Sequence, residues 1–200
     1  MNQEITCPLF PLTINVLPGA LLPLQIFEPR YIDMVKTCLS KSEGFCIVLS
    51  KPDHQRNNGL PDHHDIATYV EIIDFDQLDN GLLGITVQGK YKLRIQERWL
   101  QPDNLLLGKG LMIEEDAEDL SEDSRYSDMW SMVKEITNHP EIKKLNLELN
   151  LKSSFSVCYI LASVLPLTAQ EKQTILELDR NQDKLEFLKK IIKKLGGCSP

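Results

Sequence analysis

The pattern of apolar and polar positions divides the chain into a strand-rich first part and a helical second part. Up to about residue 113 the apolar residues form short runs, rich in β-branched and aromatic side chains and separated by turn residues, which is typical of strands. Turns are predicted at Asp79-Asn80-Gly81 and at Gly89-Lys90. The strands predicted around them cover residues 45–50, 67–75, 82–87, 93–99 and 105–113.

Prolines shape the first apolar run, over residues 5–27. Because proline fixes φ and removes a backbone donor, the run is cut into short extended pieces instead of a helix. At Pro29 the same chemistry has the opposite effect, since a proline directly after Glu28 suits the first position of a helix. The apolar residues that follow recur at helical spacing, which predicts a helix from Pro29 to Lys41.

Beyond an acidic stretch at residues 114–123 the apolar spacing becomes helical. The predicted helices are an amphipathic stripe over 126–136, an apolar helix over 155–165, a helix that begins with a capping box of Thr168 and Glu171, and a last helix over 185–195. Leucines alternate within residues 141–153, which we interpret as extended or irregular. The fold class predicted is α+β, with domains over 1–116 and 117–200.

Composition and charge narrow the function. The 200 residues are 42% hydrophobic, which is enough for a real core, and the net charge of −7 works against broad attraction to phosphate backbones or anionic lipid. The uncharged run 5–27 is interrupted by prolines and polar residues, and the first basic residue is Arg30, so neither a membrane span nor an export signal is predicted. Five cysteines without a C-x-x-C pair favour reduced thiols in the cytoplasm.

Three groups of motifs occur in a fixed order along the chain. The first is Leu9-Phe10-Pro11-Leu12, then Pro18-Gly19, then Glu28-Pro29-Arg30-Tyr31. The second is the glycine-bearing hairpin over residues 76–85 with Val87, Gly89 and Arg94-Ile95, and the third covers 160–167 and 171–179. Together they resemble the N-terminal, substrate-binding domain of the Lon protease family, from about residue 7 to residue 195.

The resemblance implies a PUA-like pseudo-barrel of about six strands with one inserted helix, followed by a C-terminal helical bundle. It also implies binding without chemistry and without a cofactor. Since the full Lon protease continues into an ATPase module and a serine-lysine protease domain, the expectation is a stand-alone form that lacks both. The motif Glu28-Pro29-Arg30-Tyr31 is expected to be structural, with Glu28 and Arg30 fixing the start of the helix by capping and an ion pair.

The residues that could suggest nucleotide binding, metal binding or catalysis each have a simpler interpretation. Residues 84–90 satisfy most of a phosphate-binding loop, but Tyr91 replaces the hydroxyl residue that would bind magnesium, and the flanks are strands, so a hairpin is favoured. His54, His63, His64 and Asp65 share a polar loop without the spacing of a metal site, and none is predicted. Neither a G-x-S-x-G elbow nor a nucleophile and base pair is recognisable, and Cys46 and Cys158 are interpreted as inert core thiols.

The function predicted is a non-catalytic module that binds protein or unfolded polypeptide, by capturing exposed apolar segments or one dedicated partner. Aromatic anchors in a groove suit such recognition. The candidate anchors are Phe27, Tyr31, Tyr69, Trp130 and Tyr159. The alternative is an RNA-binding or nucleotide-related PUA-like protein, which the acidic balance disfavours.

Overall fold

A computed structural model of the protein describes residues 3–51, 60–140 and 153–196. The stretch 141–152, predicted as extended or irregular, lies outside the described residues. The chain divides into two compact units, Met1–Glu114 and Glu115–Pro200. Strands occur in the first unit and helices in both, so the mixed α+β class with a six-stranded sheet is confirmed.

The strands and helix of the first unit follow the apolar pattern of the sequence. In chain order they are β1 (Glu4–Leu12), β2 (Leu21–Ile26), α1 (Pro29–Lys41), β3 (Phe45–Leu49), β4 (Ile66–Gln77), β5 (Leu83–Leu100) and β6 (Leu106–Ile113). The predicted helix bounds are confirmed at both ends. Gly81, at φ 79°, closes the β4 to β5 hairpin, and the Asn80 side chain accepts a hydrogen bond from Leu82 N at 3.1 Å.

The sheet order is β2-β5-β4-β3-β1-β6, and β6 also pairs with β5. Five strands therefore form a closed ring, while β2 lies outside it. The long strand β5 makes this possible, because residues 83–88 pair with β2 and residues 92–100 pair with β6 along the same strand. All these pairings are antiparallel except that of β1 with β3.

The turn predicted at Gly89-Lys90 is wrong, because β5 runs through both residues without reversing. The presence of glycine at position 89 has a different structural reason. A Cβ atom on Gly89 would lie 2.3 Å from the carbonyl oxygen of Leu17, so the close approach of another backbone segment excludes a side chain there. The strand adapts by a register shift opposite Tyr69 and Val70.

The core of the first unit has two hydrophobic clusters, and β3 contributes to both. Its alternate residues Phe45 and Ile47 pack with the buried face of α1, whereas Cys46 and Val48 pack with residues of β1, β4, β5 and β6. All five residues of β3 are buried. This burial on both faces explains why the strand reads as a continuous apolar run without alternation.

The second unit contains a short 3₁₀ helix (Ser124–Tyr126) and the helices α2 (Ser127–Asn138), α3 (Ser154–Val164), α4 (Ala169–Glu177) and α5 (Asn181–Gly196). Helix α3 contacts both α2 and α5, which accounts for its nearly all-round apolar sequence. The capping box of Thr168 and Glu171 is confirmed. In the described part of the chain, no helix combines the length and apolarity required to cross a membrane.

Candidate functional site

A groove of about 370 Å³ in the first unit lies where the end of β1, the second half of β2, the start of α1 and the β5 to β6 connection meet. Most of the side chains that line it are apolar. The lining consists of Phe10, Pro11, Leu12, Leu24, Gln25, Ile26, Phe27, Glu28, Arg30, Tyr31, Pro61, Leu100, Asn104 and Leu106. The groove thus brings together Phe27, Tyr31 and the charged residues of the predicted motif.

Tyr31 forms an aromatic wall of the groove. Its ring centroid lies 4.2 Å from that of Phe10, and the guanidinium carbon of Arg30 lies 4.7 Å from the same ring, which is a cation–π distance. The side chain is buried, and burial raises the pKa of the Tyr31 phenol above its ordinary value of 10.0. Tyr31 is therefore a neutral, mainly apolar surface at physiological pH.

Arg30 ties the start of α1 to the neighbouring connection. Its Nη2 lies 2.6 Å from Oε2 of Glu28, its Nε donates to the same oxygen at 2.9 Å, and its Nη1 donates to the carbonyl of Asn104 at 2.8 Å. The expected ion pair is present. The expected side-chain capping is wrong, because the Glu28 carboxylate turns towards Arg30 and makes no capping bond, while Pro29 supplies the helix start.

Phe27 is the exposed element of the site. Its side chain is 67% exposed although it follows a strand whose last residue, Ile26, is fully packed. Leu100, across the lining, is also exposed in part. Single exposed apolar residues are ordinary. An exposed aromatic side chain beside an apolar groove is a surface whose burial by another chain lowers the free energy of the system.

Tyr69 lies outside the groove lining. Its ring stacks on that of Tyr91, with centroids 4.8 Å apart and planes 5° apart, and its hydroxyl oxygen accepts a hydrogen bond from the backbone N–H of Gly44 at 2.6 Å. These contacts hold the half-buried ring against the hydrophobic cluster that contains Cys46 and Val48 of β3. The structure therefore does not bring Tyr69 together with Phe27 and Tyr31.

Trp130 and Tyr159 lie in the second unit and are both buried. The Tyr159 hydroxyl donates to Oε1 of Glu115 at 2.5 Å, and Nζ of Lys184 lies 2.6 Å from Oε2 of the same carboxylate. Burial, with the carboxylate of Glu115, raises the pKa of Tyr159 well above its ordinary value. Side chains held in this way offer little surface to a partner.

Of the residues considered for catalysis, metal binding or phosphate binding, Cys46, Cys158 and His63 are buried and residues 84–90 lie within a strand. Cys46 and Cys158 are fully buried, and burial raises the pKa of Cys158 to about 12, so this thiol stays protonated. His63 is buried with Nδ1 2.7 Å from the carbonyl of His64, while His54 lies outside the described residues. Residues 84–90 lie within β5, as one arm of the β4 to β5 hairpin, so they do not form a loop that could surround a phosphate.

Several groove residues escaped the sequence reasoning. Phe10, Leu24 and Leu106 read as ordinary strand residues, and nothing local distinguishes a strand residue at a groove from one in the core. Asn104 carried a usable signal. It follows Pro102 and Asp103 between two apolar runs, and its φ of 64° is one that asparagine tolerates, which leaves its carbonyl available to Arg30.

Comparisons with known proteins agree on one family. The model of the ATP-dependent protease La (LON) substrate-binding domain matches residues 6–194. The Lon protease of Buchnera aphidicola subsp. Acyrthosiphon pisum is 22% identical over 96% of this chain and 25% of its own length. A LON peptidase N-terminal domain and RING finger protein of Schizosaccharomyces pombe is 25% identical over 92% of this chain and 44% of its own length.

Among solved structures, the crystal structure of a Lon N-terminal domain protein from Xanthomonas campestris is similar over 98% of this chain and 99% of its own, at 25% identity and a TM-score of 0.73. This chain spans less than half the length of the two curated relatives just described. The likeness therefore concerns only a part of each of these relatives.

Proposed function

The chain belongs to the family of ATP-dependent protease La (LON) substrate-binding domains, and from this we propose that it is a non-catalytic module that captures exposed apolar segments of other polypeptides. The groove of the first unit is the proposed site. The observation that carries the proposal is Phe27, which lines an apolar groove and is 67% exposed. Phe27 is the proposed anchor and Tyr31 the proposed wall.

The electrostatics of the groove support an uncharged occupant. Glu28 and Arg30 are the charged side chains of the lining, and their ion pair leaves neither with an unbalanced charge towards the groove. An apolar side chain that enters meets Leu12, Leu24 and Leu100, which keep part of their surface exposed and from which it can displace water. A charged side chain would lose its hydration there and gain no free partner in exchange.

The burial of the other candidate anchors narrows the proposed surface. Trp130 and Tyr159 are packed inside the second unit, and Tyr69 is stacked elsewhere on the first. We therefore restrict the proposal to the groove and its family motif. The PUA-like description of the first unit, the helical bundle of the second, the domain bounds 1–116 and 117–200, the stand-alone form and the cytoplasmic location stay predictions.

The RNA-binding alternative has no particular observation in its favour. Its recognition would need cations free to contact phosphates and aromatic faces open to bases. In the groove, the guanidinium of Arg30 is engaged by Glu28 and by the Asn104 carbonyl, so it is not free to contact a phosphate. The net charge of −7 opposes RNA further.

Binding to an array of hydrophobic peptides, followed by anisotropy titration of the best peptide, tests the proposal. We expect dissociation constants in the micromolar range, about −8 kcal/mol. Covering the exposed part of Phe27 is worth about 1–2 kcal/mol, so Phe27→Ser should weaken binding about five- to thirtyfold. Ile14→Ser is the matched control, because Ile14 is 45% exposed but does not line the groove.

Equal affinity for the parent protein and Phe27→Ser would remove the groove from the proposal. Failure of any peptide or unfolded polypeptide to bind would overturn capture of apolar segments as a general activity. Tighter binding to single-stranded RNA than to the peptides would replace the proposal by the alternative.

A further inference from the structure

Strand β2 has one edge without a partner strand in the part of the chain that the structure describes. It pairs with β5 alone, over residues 21–26, whereas each strand of the closed ring has neighbours on both sides. An unpaired edge presents backbone donors and acceptors to the solvent, and extended polypeptides bind to such edges as additional strands.

The hydrogen bonds around β2 show which residues present their backbone at this edge. Gly89 N donates to Ala20 O at 3.0 Å, so the backbone of residue 20 faces β5. Backbone directions alternate along a strand, so residues 22, 24 and 26 also face β5, and residues 21, 23 and 25 face outward. The hydrogen bond from Leu78 N to Leu82 O leads to the same assignment. It shows that the backbone of residue 82, and by alternation that of 84 and 86, faces β4, so residues 83, 85 and 87 face β2.

The outward positions fit an edge. Pro23 lacks an N–H, which at an outward position takes nothing from the pairing with β5, and it offers only its C=O to a further strand. This leaves Leu21 and Gln25 as the outward residues with both a donor and an acceptor. Gln25 is the next outward residue, and both Pro23 and Gln25 are exposed. The N–H and C=O of Gln25 therefore point to the same edge that borders the groove, since Gln25 is part of its lining.

The charges near β2 indicate which segment would fit. A second depression, of about 390 Å³, shares Leu24 and Gln25 with the groove and is lined in addition by Asp74 and Asp76. Each carboxylate accepts a bond from the next backbone N–H, and among the described residues neither forms an ion pair. Asp74 and Asp76 lie on β4, level with Pro23 and Gln25 but separated from them by β5. Together with the net charge of −7, they give this side of the sheet a negative potential that favours basic over acidic residues in the bound segment.

We propose that an extended apolar segment with basic flanks binds as a further strand on the free edge of β2 and places alternate side chains in the groove. This inference rests on the proposed function and adds the binding mode and the substrate class. Backbone hydrogen bonds to Gln25 make binding tolerant of sequence, while the groove selects apolar side chains.

Backbone methylation of a probe peptide separates strand addition from simple side-chain capture. The probe is fluorescein-labelled Lys-Thr-Phe-Thr-Leu-Thr-Phe-Thr-Lys, and two versions carry N-methyl groups either on Phe, Leu and Phe or on three of the threonines. In an added strand only alternate N–H groups face β2. One version should therefore bind at least about tenfold more weakly and the other within about twofold of the parent, since only one version loses the backbone hydrogen bonds to β2.

Equal effects of the two methylated sets would overturn strand addition, while the proposed function would stand if the parent peptide binds and Phe27→Ser weakens it. Absence of binding by the parent peptide would overturn both. On the protein, Gln25→Pro removes the outward N–H and should weaken binding about fivefold, whereas Gln25→Ala keeps it and should not. Equal affinity of these two variants, with unchanged thermal unfolding, would also contradict the proposal.

Replacing the terminal lysines of the probe by glutamates tests the charge argument. We expect weaker binding of the glutamate version at low salt and a smaller difference at high salt, because screening weakens exposed charges. Equal or tighter binding of the glutamate version would overturn the basic flanks. A dimer of this chain that Gln25→Pro disrupts would instead identify a second copy as the occupant.

Discussion

Replacing Lys184 by methionine should strongly destabilise the second unit. Lys184 is completely buried, and its Nζ lies 2.6 Å from Oε2 of Glu115 and 5.1 Å from the ring centroid of Tyr159. The Glu115 side chain is only 13% exposed. Methionine preserves most of the apolar stem but removes the ammonium that lies 2.6 Å from this nearly buried carboxylate.

The expected loss follows from the surroundings of that carboxylate. Removing one partner of a buried ion pair lowers the free energy of unfolding by about 3–5 kcal/mol. Glu115 keeps the hydrogen bond from the Tyr159 hydroxyl and some contact with water, so we expect the lower end, about 3 kcal/mol. The double variant Lys184→Met/Glu115→Gln removes the carboxylate charge together with that of Lys184 and keeps an acceptor for Tyr159. It should therefore lose only about 1 kcal/mol.

Urea unfolding followed by the fluorescence of Trp130 measures these losses in the unit that contains them. The other tryptophan, Trp99, lies on β5, so a Trp99→Phe background removes the signal of the first unit. Lys193→Met is the control, because Lys193 is exposed on the same helix and should change stability by less than about 0.5 kcal/mol. A loss below about 1 kcal/mol for Lys184→Met, or a double variant as unstable as the single one, would refute the reasoning.

Two further predictions concern stability. Gly89→Ala should lower the free energy of unfolding of the first unit by about 3 kcal/mol, because its Cβ would lie 2.3 Å from Leu17 O. Gly81→Ala is strained only by its φ of 79° and should lower the same free energy by about 1 kcal/mol. Chemical denaturation measures both losses, and a larger loss for Gly81→Ala than for Gly89→Ala would contradict the close-approach argument. The hydrogen bond from the Asn181 backbone lowers the pKa of Asp116 below 3.8, so its stabilisation is complete above that pH and is lost as the pH falls through the lowered pKa. Asp116→Asn should flatten this part of the acid-unfolding profile, and an unchanged profile would argue against the linkage.

Local rules of the sequence accounted for much of the secondary structure. The Glu28-Pro29 step placed the start of α1, and Thr168 with Glu171 placed the start of α4, because caps and helical prolines act within one turn. The same rules wrongly predicted a turn at Gly89. A glycine is required there because the backbone of Leu17, seventy-two positions earlier in the sequence (89 − 17), approaches too closely for a side chain. Of the candidate anchors, Phe27 and Tyr31 share the groove because they are close in the chain.

What the sequence alone determined is the class of fold, most element bounds and the family motifs, since each depends on neighbours within a few residues. Only the tertiary structure decided that β6 pairs with both β1 and β5, that β2 has no second partner strand among the described residues, and that Asn104 reaches Arg30. The physical reason is that strand pairing and side-chain partners depend on which distant backbones approach each other, and local propensity carries no record of that choice.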